Sequence, residues 1–520
     1  MSLKRTGAIE IAFSIVACWT ASSTFAPACA QSWMSAHSVL LRPESLTSAF
    51  MGGGWSSNVD DFASEAREMG VHAVQVEMRA VDPGDTSQTG HLYFQPAPHS
   101  DFIEPSLTIK PFVSSLGEEF AADGNAMIHE LIDACHRNRL EVYVWLPVLR
   151  DHLLYLQGAP YMMEPDSWEP GFVTPYHSGV VAHELAVIER VLDEFCVEGI
   201  YLDYLRYEAD EQPQDAAADA QWRLLFPDVP IATVAEAGGS HPLWVDYLDF
   251  RAAGLTSFTH AAKGVAGGNK AVEFGAFLMP HSAKTTSSEG WPYGYYMESW
   301  SGVNYEEMAT VGMNMVPMVY WEYEGWTSPF SAEEFTSRVT RHSLRWATDH
   351  PPSDAIPLFS HHRPGSELVQ HFQLARAEGH DDISLFFWND WPGRFGKLRY
   401  VLEIVNGEGP ASHPVVTITS PPADPRPRFM ESQKLQFNAL VTGGGTITQA
   451  WYRFDGDAWI STAPGAVLSE SDISLARLST GCHTLAVRVA DDSGRPGQDL
   501  RVFNVYEAHL RLTPRGWRRN

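Results

Sequence analysis

The sequence predicts an α/β chain, namely a (β/α)8 TIM barrel followed by a small all-β, immunoglobulin-like sandwich. Three observations support this prediction. Between residues 36 and 405, apolar strand-like runs alternate with amphipathic helical runs about eight times. The first strand is not followed by the glycine-rich phosphate loop of a doubly wound open sheet, which is the alternative fold. Beyond the linker-like stretch NGEGPASHP, short alternating strands separated by turns fill about a hundred residues.

The individual elements are recognised by their periodicity. Each barrel strand is an apolar, β-branched or aromatic run, and the helices place apolar residues at helical spacing. Gly70 ends the first helix as a C-terminal capping glycine would. The predicted barrel strands are 38–42, 72–79, 140–148, 199–208, 271–280, 313–321, 355–360 and 382–390. The predicted helices include 126–138, 180–196, 244–265, 333–347, 367–379 and 397–407.

The chain divides into four segments on composition. Lys4 and Arg5 precede the apolar run AFSIVACW, and ACA at 28–30 is a small-x-small cleavage pattern, so residues 1–30 are predicted to be a signal peptide. Cleavage near Ala30 would export the protein to the periplasm or the extracellular space. Residues 31–405 are assigned to the barrel, 406–414 to a linker and 415–520 to the sandwich. No later apolar run is long enough to span a membrane.

Charge and composition narrow the function. The net charge of −28 disfavours binding to nucleic acid or to anionic membranes. It is compatible with a neutral glycan, and the 17 Trp and 18 Tyr could line a sugar-binding cleft as well as fill a core. The composition does not predict an oligomeric state.

Three cysteines would remain after cleavage, and they do not form a disulfide framework. Cys135 and Cys196 lie near helix ends and are expected to be buried apolar side chains; the third is Cys482. The spacing fits no zinc site, so neither a metal nor a cofactor is predicted.

The stretch GIYLDYLRYE at 199–208 places a carboxylate in an apolar strand. Alternation puts Ile200 and Leu202 on the outer face and Tyr201 and Asp203 on the face toward the barrel interior. Asp203 lies near the carboxyl end of the strand, where TIM barrels carry their catalytic groups. The alternative interpretation is a structural ion pair with Arg206 or Arg79.

Other strand ends carry further candidates. Glu77 and Arg79 share the inward parity of the second strand, where they could form a mutual structural pair or take part in function. Glu322 follows the sixth strand among aromatic residues, although a solvated loop position is the alternative. Asp390 could be functional or could cap the next segment. The aromatic and polar residues that share these strand ends are Tyr143, Trp145, Tyr320, Trp321, Trp388 and Asp390.

Taken in order, these motifs resemble the family-10-like glycosylhydrolases, a group of bacterial TIM-barrel proteins. EGIYLDYLRYE at 198–208 is similar to the family motif DGIHLDYIRYP, and VQVEMR and EVYVWLP match two earlier signatures more loosely. YYMESWSG, with Trp300, and VPMVY match a later one. The chain departs from the family at Tyr201, Pro147 and Glu208, which would line the mouth of the barrel.

The resemblance implies hydrolysis of a poly- or oligosaccharide by two carboxylates. Asp203 would be the nucleophile or base, kept ionised by Arg79 or Arg206. Glu322 is the first candidate for the acid, ahead of Glu77 and Asp390, because aromatic neighbours would raise its pKa. The predicted sugar-contacting aromatic residues are Tyr143, Trp145, Trp300, Trp321 and Trp388. Two alternatives remain open: a non-catalytic glycan-binding protein on a degenerate barrel, and a structural envelope protein without a cleft.

Overall fold

A computed structural model describes most of the chain. The described residues are 35–46, 54–81, 90–103, 117–164, 171–208, 211–269, 272–285, 301–322, 327–360, 363–386, 394–406, 414–422, 427–430, 432–506, 510–513 and 516–519. The predicted signal peptide and the predicted site residues Trp300, Trp388 and Asp390 lie outside these ranges. Among the described residues, no helix is both long and apolar enough to cross a membrane.

A closed parallel barrel forms the larger part of the structure. Its strands follow the order β5-β4-β3-β2-β1-β9-β8-β6, and β5 pairs with β6 to close the ring. Two short strands, β7 and β8, both pair with β6 and together make the seventh stave. The barrel strands are β1 (Ser35–Leu41), β2 (Val71–Glu77), β3 (Glu141–Pro147), β4 (Gly199–Asp203), β5 (Glu273–Leu278), β6 (Asn314–Val319), β7 (Asp354–Ala355), β8 (Leu358–Ser360) and β9 (Asp382–Phe386). The predicted TIM barrel is confirmed.

Helices follow the strands and cover the outside of the barrel. They are α1 (Trp55–Glu68), α2 (Gly117–Arg137), α3 (His152–Tyr155), α4 (Ser178–Glu194), α5 (Ala216–Leu225), α6 (Ile231–Ala237), α7 (Trp244–Asn269), α8 (Tyr305–Ala309), α9 (Ala332–Asp349), α10 (Gly365–Ala377) and α11 (Arg394–Asn406). Gly70 has the positive φ of 76° that a left-handed helix cap requires, as predicted. The sequence did not indicate α5 and α6, which lie in the long connection between β4 and β5.

The C-terminal part is an all-β module, as predicted. A three-stranded sheet, β10-β12-β15, and a five-stranded sheet, β11-β17-β16-β13-β14, share one apolar core that includes Phe437, Phe454 and Phe503. The immunoglobulin-like topology and the domain boundaries remain predictions. The strands are β10 (Val415–Ser420), β11 (Arg428–Met430), β12 (Lys434–Thr442), β13 (Ile447–Phe454), β14 (Ile460–Thr462), β15 (Val467–Ser474), β16 (Gly481–Asp491), β17 (Pro496–Tyr506), β18 (Leu510–Thr513) and β19 (Gly516–Arg519).

One prediction about the cysteines is wrong. Cys196, at the end of the segment after α4, forms a disulfide with Cys482 on β16, with their Cα atoms 5.8 Å apart. The two residues are 286 positions apart, so no local pattern could reveal the pairing. Cys135 is buried and unbonded, as expected for a small apolar side chain.

Candidate active site

Asp203 lies at the carboxyl end of β4 and faces the barrel interior. Its neighbour Tyr201 faces the same way, because its hydroxyl contacts Asn314 on β6, while Ile200 and Leu202 are buried against the outer layer. Asp203 is 8 % exposed. The strand therefore delivers a carboxylate to the catalytic end of the fold.

Two donors orient the Asp203 carboxylate. The Trp145 indole Nε1 donates to Oδ2 at 2.8 Å, and the Tyr204 backbone N–H donates to Oδ1 at 2.7 Å. Tyr204 has a φ of 53°, a left-handed conformation that is uncommon for a bulky residue. Backbone strain of this kind persists where the surrounding structure imposes it, and it is common at functional sites. The conformation of Tyr204 therefore supports a functional position at the end of β4.

Two arginines lie over the ring of Tyr204, the residue that follows Asp203. The guanidinium carbons of Arg206 and Arg150 lie 4.6 Å and 4.9 Å from the Tyr204 ring centroid. Arg206 Nε also contacts Glu208 Oε1 at 2.6 Å. Burial raises the pKa of Asp203, while Arg206, the Trp145 and Tyr204 hydrogen bonds and Arg150 act in the opposite direction and favour the ionised form.

An aromatic wall surrounds Trp145 inside the barrel. The Trp145 ring meets the edges of Phe386 and Phe277 at centroid distances of 5.7 Å and 6.4 Å. Tyr320 lies 6.4 Å from Phe386, so it is on the same inner surface. Trp145 is itself buried, and it joins the Asp203 carboxylate to this aromatic wall.

Three other predicted aromatic residues within the described ranges point elsewhere. Trp321 stacks on His371 of α10 at 3.8 Å, which turns it toward the outer helices. Tyr143 and Tyr201 stack on each other at 5.4 Å, and their hydroxyls contact Glu273, the first residue of β5. These two hydroxyls therefore lie at the amino end of the barrel, opposite the end where Asp203 lies.

Glu77 pairs with a residue that the sequence did not single out. Its Oε2 lies 3.2 Å from Arg42 Nε, at the end of β1, and 3.3 Å from the Tyr93 hydroxyl. The Arg42 guanidinium also lies 5.9 Å from the Trp145 ring centroid. Glu77 is fully buried, and the cation that compensates its charge is Arg42. Arg79, the partner that the sequence suggested, pairs with Glu184.

Arg79 instead joins a buried cluster behind the barrel mouth. Its Nη1 contacts Glu184 Oε2 of α4 at 2.8 Å and the carbonyls of Pro147 and Val148, and its Nη2 lies 3.6 Å from Asp151 Oδ2. Asp151, His183 and Glu184 have ligand atoms within 4.8 Å of one another, as in a metal site. The guanidinium already contacts both carboxylates, so a metal ion would compete with Arg79 for them.

Glu322 lies beyond the end of β6, two residues after Tyr320. Burial raises its pKa, with Ser360 and Arg363 acting in the opposite direction. A raised pKa is the property that a general acid needs. The sequence predicted that aromatic residues such as Trp321 would surround Glu322. Trp321 instead stacks on His371 and points away from Glu322.

Sequence reasoning missed Arg42, Arg150 and Phe277. Arg42 directly follows β1, and its position at a strand end was a usable signal. Arg150 follows Pro147, where the strand alternation no longer tells which way a side chain points.

A parallel eight-stave barrel with a carboxylate at a strand's carboxyl end defines a TIM-barrel protein with a candidate catalytic centre. No protein-family model matches the sequence, and no curated protein matches it. Among solved structures, the chain is similar to the PgaB (BpsB) glycoside hydrolase domain from Bordetella bronchiseptica, with a TM-score of 0.53 and 14% identity over 71% of this chain and 99% of that one. This likeness confirms the fold.

Weaker matches include an endo-beta-1,4-mannanase from Cellulomonas fimi, with a TM-score of 0.28 and 12% identity over 74% of this chain and 82% of that one. Bee venom hyaluronidase matches with a TM-score of 0.30 and 14% identity, over 52% of this chain and 86% of that one. At these scores neither match adds to the argument about this chain.

Proposed function

We propose that this protein is a glycoside hydrolase that acts on a poly- or oligosaccharide, with Asp203 as nucleophile or base. The observation that carries the proposal is the Asp203 carboxylate, which is held by the Trp145 indole and the Tyr204 amide at the carboxyl end of β4. Both hydrogen bonds are donated to the carboxylate, so they stabilise the ionised form that this role requires. The fold shared with the PgaB glycoside hydrolase domain is compatible with it.

Glu322 is the proposed general acid. It follows the strand β6 and Tyr320, which lies on the same aromatic wall as the rings around Trp145. Burial raises its pKa, which keeps the carboxyl protonated to higher pH than usual. Glu77 is a weaker choice because Arg42 and Tyr93 already bind it.

The proposed substrate is a carbohydrate, and the proposed location is outside the cytoplasm. The Cys196–Cys482 disulfide supports export, because such bonds persist in oxidising compartments. The resemblance of EGIYLDYLRYE to the family-10-like glycosylhydrolase motif supports the choice of a glycosidic bond.

The test is hydrolysis of a polysaccharide panel, measured by new reducing ends. Asp203→Asn keeps the size of the side chain and removes the charge, and Asp246→Asn on the exposed face of α7 is the matched control. We expect the control to retain activity and Asp203→Asn to lose at least roughly a thousandfold in kcat. Undiminished hydrolysis by Asp203→Asn would refute the assignment.

A non-catalytic glycan-binding barrel is the second candidate. The observation that favours it is that both Asp203 oxygens already accept hydrogen bonds and the residue is 8 % exposed. This candidate predicts that glycans bind to the wild type without turnover and that Asp203→Asn binds them equally well.

A further inference from the structure

The amino end of the barrel carries acidic residues that are buried or partly buried. Glu141, Glu273 and Asp382 are the first residues of β3, β5 and β9, and the amino ends of parallel strands meet at one end of a barrel. The Glu141 side chain is 2 % exposed and that of Glu273 is 12 % exposed. Carboxylates with so little exposure to water are costly unless a cation compensates them.

The compensating cation comes from the all-β module. Arg453 of β13 reaches Glu141 Oε2 through Nη2 at 2.7 Å and Glu273 Oε2 through Nη1 at 2.9 Å. Burial alone would raise the pKa of Glu273, but Arg453, His37 and Tyr201 together hold it far below its usual range. Arg488 of β16 lies 3.7 Å from Asp382 in the same way.

The module also fits closely against the barrel backbone. A Cβ atom added to Gly456, in the turn between β13 and β14, would lie 1.7 Å from Glu273 N and 2.6 Å from Glu198 O. Asp455 holds this turn through the His483 ring at 2.7 Å and the Thr484 amide at 2.8 Å. Only a residue without a side chain fits at this contact.

Further contacts join the two parts around this end. Arg139, which follows α2, contacts Asp499 of β17 at 3.2 Å and donates to the Val416 carbonyl at 3.0 Å. The Cys196–Cys482 disulfide crosses the same boundary. Charge, close packing and a covalent bond therefore all connect the module to the barrel.

We propose that the all-β module is a permanent closure of the amino end of the barrel, with Arg453 as the cation that the barrel interior needs to fold. The module then has a structural role and is not an independently folding glycan-binding unit. The inference does not depend on the proposed function, since it concerns the end of the barrel opposite Asp203.

Calorimetry of the full oxidised chain tests the closure. Wild type should unfold in one cooperative transition, because barrel and module share a buried charge network. Arg453→Met keeps the length of the side chain and removes the guanidinium that Glu141 and Glu273 share, which leaves His37 beside Glu273 but not the cation of Glu141, so Tm should fall by roughly 5 °C or more. Arg477→Met, at a half-exposed arginine of the same module, is the control and should leave Tm nearly unchanged.

Charge compensation makes a sharper prediction than packing does. In an E141Q/E273Q background, Arg453→Met should cost much less, because no buried carboxylates are left unpaired. Gly456→Ala should also lower Tm, whereas Gly465→Ala, whose added Cβ would meet its nearest neighbour at 3.6 Å, should not. If Arg453→Met does not fold, the glycine pair still decides the question.

The closure would be overturned by two separate transitions in the wild type. It would also be overturned if Arg453→Met matched Arg477→Met, or Gly456→Ala matched Gly465→Ala, in Tm. An equal cost of Arg453→Met in both backgrounds would refute the charge argument. Peptide mapping without reductant should recover Cys196 joined to Cys482; two free thiols would remove the covalent part of the proposal.

Discussion

Glu184 offers a stability test that follows from charge counting in a closed site. Arg79, Asp151 and Glu184 are all fully buried, and the one guanidinium faces both carboxylates. Burial raises the pKa of Glu184 to about 7, although Arg79 opposes it. Burial acts on Asp151 too, but Arg79 and His183 prevail and lower its pKa. The cluster is therefore nearly neutral only while Glu184 holds its proton.

The consequence is a loss of stability as pH rises. Glu184 binds its proton more tightly in the folded state than in the unfolded state. Its contribution to the free energy of unfolding is therefore fully present below the ordinary pKa of 4.5 and is lost as the pH rises through about 7. The difference between 4.5 and about 7 corresponds to about 3.5 kcal/mol at most, since each tenfold change in proton affinity is worth about 1.4 kcal/mol. Most of this loss, about 2 kcal/mol, should fall between about pH 5 and pH 8.

Glu184→Gln removes this dependence because the amide imitates the protonated acid. Urea unfolding measures the free energy of unfolding at pH 5 and at pH 8. The value for Glu184→Gln minus the value for wild type should rise by about 2 kcal/mol between these two pH values. Glu236→Gln on the exposed face of α6 is the control and should track wild type. A constant difference between Glu184→Gln and wild type at both pH values would refute the reasoning.

Two predictions concern the proposed site. Trp145→Phe removes the donor to Asp203 Oδ2. A hydrogen bond to a charged group is worth about 1.5–3 kcal/mol, so kcat/KM should fall roughly 10–100-fold. An unchanged kcat/KM would show that this hydrogen bond does not contribute to catalysis. The pH–rate profile should be bell-shaped, because the rate falls on the acid side as Asp203 is protonated and on the alkaline side as Glu322 loses its proton. Both limbs should lie above the ordinary pH range of carboxyl titration, because burial raises the pKa of both groups. Glu322→Gln should remove the alkaline limb.

The fold was predictable because its signals are local. Each barrel strand is a short apolar run, and each helix shows its own 3.6-residue period, so β/α order could be read without knowing any contact. The parity of Tyr201 and Asp203 likewise follows from strand alternation alone. The sequence did not predict that the seventh stave is divided into β7 and β8. It also did not predict the helices α5 and α6, and neither feature changes the alternation of strands and helices along the chain.

The partners of the charged residues were harder to predict. Alternation suggested that Glu77 and Arg79 share a face, but β2 ends at Glu77, and Arg79 turns toward α4. Arg42 takes the place beside Glu77 because the parallel pairing of β1 with β2 brings the carboxyl ends of the two strands together.

The sequence by itself determined the order of strands and helices, the all-β character of the C-terminal part and the delivery of Asp203 to the carboxyl end of a strand. The tertiary structure alone decided which groups meet: Trp145 with Asp203, Arg453 with Glu141 and Glu273, and Cys196 with Cys482. The physical reason is range. Periodicity reflects interactions within a few residues, whereas these pairs form only when barrel closure and module docking bring distant segments together.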